Sequence, residues 1–439
     1  MALMPIYHLK GVPKMDLDRL KGRSELEINR IADQVKVVVE DVRNRGDRAV
    51  VEYVKKFDRV DLKPQNLLVS LKEFDRASKT LAKPIKRCIE HAAENIQRFH
   101  QAQMPVSSWF TEVDKGILIG QITTPLSSVG LYVPGGRGSF PSTVLMSVIP
   151  AKIAGVEKLA ICTPPRPDGR VDAAALYAAD MLGVHEVFKV GGAQAIAAMA
   201  FGTETIPKVD KIVGPGGIWV SAAKRMILNY GNTGIDFIAG PSENLVLADD
   251  SANPRYVAAD VLIEPEHGSD SAGVVVTTSR ALAEKVQSEV EKFIGELPEK
   301  PINRRRFATD SIAKYGAIIV TENLDEAIDF VNSYSVEHLE IMTRAPLQTL
   351  MQIKNAGSIY LGDYSPCSVG CYACGANHIL PTGTGARIFS GLSVRDFIKQ
   401  IDYSYLSKQG LETINDTIRG LSEYEGFPQH GKAVRVRFE

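Results

Sequence analysis

The sequence predicts an α/β protein with two Rossmann-like open parallel sheets. Short apolar runs closed by glycine or proline alternate with stretches at helical spacing, and they do so in two successive series. At 439 residues the chain is also too long for one simple core. The first series reads as strands VGLYV (129–133), LAIC (159–162), EVFKV (186–190) and KIV (211–213), with helices such as STVLMSVIPAKIAG and DAAALYAADML between them. The second begins after AGPSENLVLAD, with AGVVVTT, AIIVT, LEIMT and SIYLGD as strands and helices near 252–262, 280–294, 324–333 and 347–355. Before both, Ile31, Val35, Val38, Val39 and Val42 repeat at helical spacing up to Gly46, as do Ile89, Ala93, Ile96 and Phe99. From about Ser393 helical spacing returns, and the chain closes on the strand-like AVRVRFE.

These patterns divide the chain into a mostly helical region at 1–125 expected to pack on the second sheet, Rossmann-like domains at 126–241 and 242–392, and a tail at 393–439. No Ser- and Pro-rich linker separates the two sheets, so they should pack tightly. Hydrophobic residues make up 44% and charged residues 23%, an ordinary balance for a folded chain. Lys and Arg total 51 against 52 Asp and Glu, and a net charge of -1 gives no field to gather nucleic acid or a membrane surface. The opening residues lack an apolar signal core and no later run is long enough to span a bilayer, which predicts a cytoplasmic protein. Five cysteines are too few for a disulfide scaffold, but Cys367, Cys371 and Cys374 crowd into eight residues.

Glycine turns follow three predicted strands: VPGGRG, VGGAQA and GPGG. Such turns let backbone amides approach phosphates at helix N-termini, yet none has the GxGxxG pattern with its spaced acid, and glycine also serves any tight strand-to-helix turn. In EPEHGSD, Glu264 and His267 stand three apart, a spacing that suits two metal ligands or an acid with its hydrogen-bonded histidine. In SVEHLEIM, Glu337 and His338 precede a strand; adjacent residues there point apart, so two proton-transfer groups could serve different steps, or the pair is only a polar turn. The run SPCSVGCYACGANHILPTG holds CxxxCxxC, the spacing of radical enzymes with an iron-sulfur cluster, although only 65 residues follow Cys374, too few for the barrel such enzymes need. A plain cluster, a structural zinc site and three packed thiols are the other readings.

Together these segments resemble the histidinol dehydrogenase family. The resemblance runs in order through GLYVPGGRGSFPSTVLMSVIPAKIAGV, VGGAQAIAAMAFGTETIPKVDKIVGPG, AGPSENLVLAD, EPEH, SVEHLEIM, GANHILPTGTGARIFSGLSV and EGFPQHGKAVRVR, from about residue 20 to the end. It implies one Zn²⁺ per subunit and NAD, and the oxidation of a primary alcohol through an aldehyde to a carboxylate: L-histidinol to L-histidine, or a related small polar alcohol. His338 would be the base for the alcohol and Glu337 the activator of water. Glu264, His267, Cys371 and His430 would hold the metal, with Glu264 standing where the family has glutamine and Cys371 where it has aspartate. Substrate would meet Ser242, Glu264, His267, His338, Cys371, His378, Glu425 and His430, while Cys367 replaces an acid of the family's pattern. NAD would meet Tyr132, Gln194 and Gly217, the last in place of an asparagine. The resemblance further implies a homodimer whose tails bring Glu425 and His430 to the partner's site. Two alternatives are a dehydrogenase for another substrate, such as a sulfonated diol, and a cysteine-cluster redox protein on the same scaffold.

Overall fold

In the computed structural model, which describes residues 3–13, 15, 20, 28–136, 138–231, 233–238 and 240–439, both predicted sheets form. Arg137 of the first glycine turn and Ala239 of the segment leading into the second series lie outside the described residues.

The first sheet contains β4 (Ser128–Tyr132), β5 (Lys158–Thr163), β6 (Val187–Lys189), β7 (Lys211–Val213) and β8 (Gly234–Ile235), all parallel, in the order β6-β5-β4-β7-β8. The second contains β9 (Glu243–Ala248), β10 (Ala272–Thr277), β11 (Ala317–Val320), β12 (His338–Met342) and β13 (Ser358–Leu361), with β1 (Ile6–His8) added in parallel beside β11; the order is β1-β11-β10-β9-β12-β13. In each series the chain steps outward from its first strand, crosses back and continues on the other side, which is the doubly wound arrangement.

Helices cover both faces, so the central strands are near-continuous apolar runs. Successive side chains point to opposite faces. Thus Leu245, Leu247, Val274 and Val276 pack with Ile328 and Val331, whereas Val246, Val275 and Ala248 pack with Val257, Val286 and Val290.

Three expectations are corrected. The N-terminal region is split: its helices from residue 28 onward cover the first sheet, whereas Met4 and Leu20, with Tyr7, Leu9 and Val12, pack on the second as expected. Val35, Val38, Val39 and Val42 of helix Ala32–Arg45 pack with Tyr132, Ala160, Cys162 and the small residues Ala193, Ala195, Ala197 and Ala198, while helix Lys83–Gln101 lies on helix Pro141–Ala154. The alanine-rich surface lets a valine stripe approach closely; the second sheet is largely covered by its own helices, which leaves an edge for β1 and room for Met4 and Leu20 on its faces.

The second correction concerns the tail. Residues after 393 include a strand, β14 (Ile398–Leu406), antiparallel to β3 (Ile117–Pro125), which also pairs with β2 (Ser108–Asp114). These strands bury little, so period-two contrast is weak in the sequence. In the third, AVRVRFE begins inside a helix, Pro428–Arg435, where Pro428 suits the first turn and Val434 is buried.

Candidate active site

Two clusters of predicted residues form, on opposite kinds of strand end. At the carboxyl ends of the first sheet, Tyr132 closes β4, Gln194 sits in the first turn of helix Gly192–Phe201, and Gly217 caps helix Ile218–Ile227. This is the switch point of the sheet, where α/β folds bind ligands.

The glycines here are needed for space. A Cβ on Gly191 would come within 2.6 Å of Pro164, and one on Gly214, whose φ is +120°, within 2.2 Å of the Tyr132 carbonyl. A Cβ on Gly217 would meet nothing within 4 Å, so the room for a longer polar side chain is kept. The Gly192 amide donates to Tyr132 Oη at 3.0 Å, tying the second turn to the end of β4, and burial pushes the tyrosine hydroxyl up to about 12.

Asp58 approaches the same region, with Oδ2 buried and without a hydrogen-bond partner, and burial raises its carboxyl to about 6. An unfolded aspartate titrates near 4, so the folded form holds this proton more tightly and stability falls as pH rises from about 4 to about 6. Asp58→Asn is therefore expected to gain about 1–2 kcal/mol at pH 8, after allowance for solvent screening of a partly exposed group, and nothing at pH 3.5. Denaturant titrations of both proteins across that range check it; a difference that does not grow between pH 4 and 6 contradicts it.

The second cluster gathers at the amino ends of β9 and β12, away from the second sheet's own carboxyl-end crevice. His338 is the first residue of β12, in register with Asn244 of β9, and Glu337 precedes it. Both are buried. Glu337 Oε2 accepts from the Glu243 amide at 2.9 Å, and Glu337 Oε1 lies 3.7 Å from His338 Nε2. The other ring nitrogen, Nδ1, is 3.2 Å from Tyr360 Oη on neighbouring β13.

Burial, then the negative charge of Glu264, raises the Glu337 carboxyl well above the usual range; burial lowers His338, which is therefore neutral at pH 7.

Glu264 follows helix Pro254–Val261 in a tight turn that brings His267 back, with His267 Nδ1 2.8 Å from Glu264 Oε2. Its Oε1 lies 3.7 Å from His338 Nε2. Burial by itself would raise the Glu264 carboxyl, but the neighbouring imidazoles, His267 first and then His338, with hydrogen bonds from His267 and Ser242, hold it down at about 2. The charge of Glu264 in turn raises His267.

Opposite stands the short helix Cys367–Tyr372, where Cys367 and Cys371 are one turn apart with sulfurs 3.7 Å from each other. Cys367 Sγ is 3.8 Å from Glu264 Oε1. Glu264, His338, Cys367 and Cys371 each present one donor atom, all within 4.8 Å of one another. Carboxylate, imidazole and thiol form a donor set that suits Zn²⁺. Cys374 is exposed and stands outside this group, so among the described residues the thiols of CxxxCxxC form neither a three-thiol cluster nor three packed thiols.

His378 links the two clusters. Its Nδ1 lies 2.9 Å from the Cys371 carbonyl and its Nε2 3.2 Å from Thr143 Oγ1, in the helix that follows the first glycine turn. Burial lowers it to about 4, so it bridges as a neutral ring. Asn377 Nδ2 donates to the Met146 carbonyl in that helix, and the Gly383 amide to Glu243 Oε1 at the start of β9. The loop thus fixes one sheet's glycine turns against the other's acid and base.

Glu425 and His430, by contrast, are exposed on the tail helices, which pack on each other. Tyr360, Glu243 and Thr143 were not legible as site residues; only the period-two alternation of SIYL hinted that Tyr360 and Ser358 share a face.

Glycine turns at the switch point of one sheet, facing a buried acid, base and metal-type donor set on another, define a dehydrogenase-like α/β protein. The chain matches the family described as histidinol dehydrogenase over residues 21–438, and it belongs to that family. It is 47% identical to the histidinol dehydrogenase of Methanothermobacter thermautotrophicus over 96% of each chain, and 45% identical to that of Methanosarcina mazei over 100% of this chain and 99% of the other. The crystal structure of histidinol dehydrogenase from Elizabethkingia anophelis superposes with a TM-score of 0.92 at 37% identity, covering 100% of this chain and 98% of that one. Among the described residues no helix is long and apolar enough to cross a membrane.

Proposed function

We propose that this chain oxidises L-histidinol through the aldehyde to L-histidine with NAD, in two successive steps at one site. The observation that carries this reading is the buried pair at the head of β12, where a neutral imidazole and a carboxyl held by a backbone amide face the same space from adjacent residues.

In the first step His338 takes the alcohol proton. With Nδ1–H donating to the Tyr360 oxygen, Nε2 keeps its lone pair, and a depressed basicity keeps it available at neutral pH. NAD, when bound at Tyr132, Gln194 and Gly217, supplies the hydride acceptor for both oxidations.

In the second step Glu337 draws a proton from water as it attacks the aldehyde. Its raised basicity suits that task, and the Glu243 amide fixes its orientation. His338, having released the alcohol's proton to solvent between the two oxidations, then removes the hydrate's proton. Glu264, His267 and Cys371, with His430 from a second copy, would hold Zn²⁺, which when bound supplies Lewis-acid polarisation of the substrate oxygen. Ser242, His378 and Glu425 would complete the substrate's surroundings, with Glu425 also from the second copy.

A homodimer accords with the exposed tail and with the exposed apolar side chains of the three-stranded sheet, Trp109, Phe110 and Tyr405 among them.

The test is the full-length protein with zinc, L-histidinol and NAD. Two NADH per histidinol and stoichiometric histidine are expected. Silence with histidinol alongside turnover of another alcohol, such as a sulfonated diol, would overturn the substrate. For the metal, Cys371→Ser should lower zinc content at least about tenfold after dialysis against a chelator, and unchanged zinc would return that thiol to a packing role.

A further inference from the structure

Cys367 has no part in the two-step mechanism, yet it is fully buried beside charged groups. We infer that Cys367, in the place given above to His267, acts with Cys371 as a two-thiolate bite on the metal beside Glu264, while His267 stays paired with Glu264 Oε2.

The inference rests on the reading that the site holds a divalent cation, and on three observations. The first is distance. Two sulfurs on a tetrahedral cation with metal–sulfur bonds of about 2.3 Å stand about 3.8 Å apart, while a disulfide needs about 2.05 Å. The sulfurs here are 3.7 Å apart.

The second is the third donor. Glu264 Oε1 is 3.8 Å from Cys367 Sγ, too long for a strong hydrogen bond and within a few tenths of an ångström of the about 3.5 Å at which a carboxylate oxygen and a thiolate share one tetrahedral ion.

The third is surroundings. Cys162, also fully buried, is packed among apolar residues such as Val190, Ile212 and Val39, as a cysteine acting as a small hydrophobe should be. Cys367 belongs to none of the apolar clusters and faces Glu264 and Cys371. Its position is set by the helix: Pro366 precedes the first turn, and the four-residue spacing puts both thiols on one face.

Two thiolates and a carboxylate carry three negative charges toward a divalent ion, which favours thiophilic cations such as Zn²⁺, Co²⁺ and Cd²⁺ over Mg²⁺ or Mn²⁺.

Cobalt tests this on the full-length protein, stripped of metal under reductant and reloaded with Co²⁺ without substrate. The near-ultraviolet thiolate-to-cobalt charge-transfer band should fall by about half in Cys367→Ser, by about half in Cys371→Ser, and vanish in the double variant, because its intensity counts thiolate ligands. Cys88→Ser, at an exposed position, should leave it unchanged. Cys367→Asp, an oxygen donor of similar reach, should keep the cobalt and still lose half of the band, which separates loss of a thiolate from loss of the fold. A full band in Cys367→Ser, a wild-type protein that takes up no cobalt, or loss of both titratable thiols to a disulfide in reductant would each overturn the inference. NADH formation from histidinol by the zinc-loaded wild type is scored separately. A normal yield beside a one-thiolate band sinks the inference alone, and a two-thiolate band with no NADH sinks the proposed substrate alone.

Discussion

His338→Ala is expected to lower the rate of histidinol oxidation by about 10²–10⁴-fold, whereas Glu337→Gln should leave the first oxidation close to normal and stall the second. The asymmetry follows from what each side chain touches. His338 is oriented through Nδ1 by Tyr360, and its Nε2 faces the interior of the site, so its removal takes away the proposed base and leaves no other neutral imidazole at that point. Glutamine at 337 keeps the acceptor for the Glu243 amide, so the geometry survives while the basic oxygen is lost.

With histidinol as substrate, Glu337→Gln should yield about one NADH per alcohol and release or retain aldehyde; supplied with the aldehyde, it should be almost inactive. Single-turnover NADH formation from each substrate separates the steps. Equal loss of both oxidations in both variants would contradict the division of labour. Tyr360→Phe offers a milder check, since it removes the partner of Nδ1 without touching the reacting atoms. A fall of about tenfold in the first oxidation is expected, with little change in histidinol affinity.

Both sheets were legible because their strands are buried on two faces and flanked by glycine turns, which makes apolar runs stand out in the sequence. The antiparallel ladder of β2, β3 and β14 was not, because strands such as SWFTEVD are exposed along their whole length and carry no burial contrast. The packing partner of the N-terminal helices was also hidden. A valine stripe says that a face is buried but not against what, and the alanines that receive it, around 193–198, lie more than 150 residues away.

At the site, Glu337, His338, Glu264 and Cys371 were readable as chemically unusual pairs within short motifs, and these converge. His267 joins them through Glu264, whereas Glu425 and His430 stay on the exposed tail. Cys367 could be counted in the sequence, but its place beside Cys371 and Glu264 depended on a helix of six residues that the sequence does not announce.

Lys224→Met is expected to destabilise the protein by about 3–5 kcal/mol and to weaken NAD binding with it. Lys224 and Asp236 are both essentially inaccessible, 2.7 Å apart, in the first sheet's unit. The pair does more than neutralise itself. Lys224 Nζ also donates to the Gly214 carbonyl at 2.5 Å, and Asp236 Oδ2 accepts from the Gly214 amide at 2.8 Å, so both backbone groups of a left-side residue at φ +120° are held by one ion pair. Gly214 opens the turn that ends at Gly217, beside Tyr132. Methionine fills the volume of lysine but leaves a buried carboxylate without its cation and a carbonyl without its donor, which is why loss of one partner costs far more than the pair contributes. The double variant Lys224→Met with Asp236→Asn should recover part of that loss by removing the stranded charge. Chemical denaturation with and without NAD measures both effects. A single variant within about 1 kcal/mol of wild type would show that the pair is not what holds the turn, and recovery of stability without recovery of NAD affinity in the double variant would show that the Gly214 geometry, rather than the charge balance, is what the nucleotide senses.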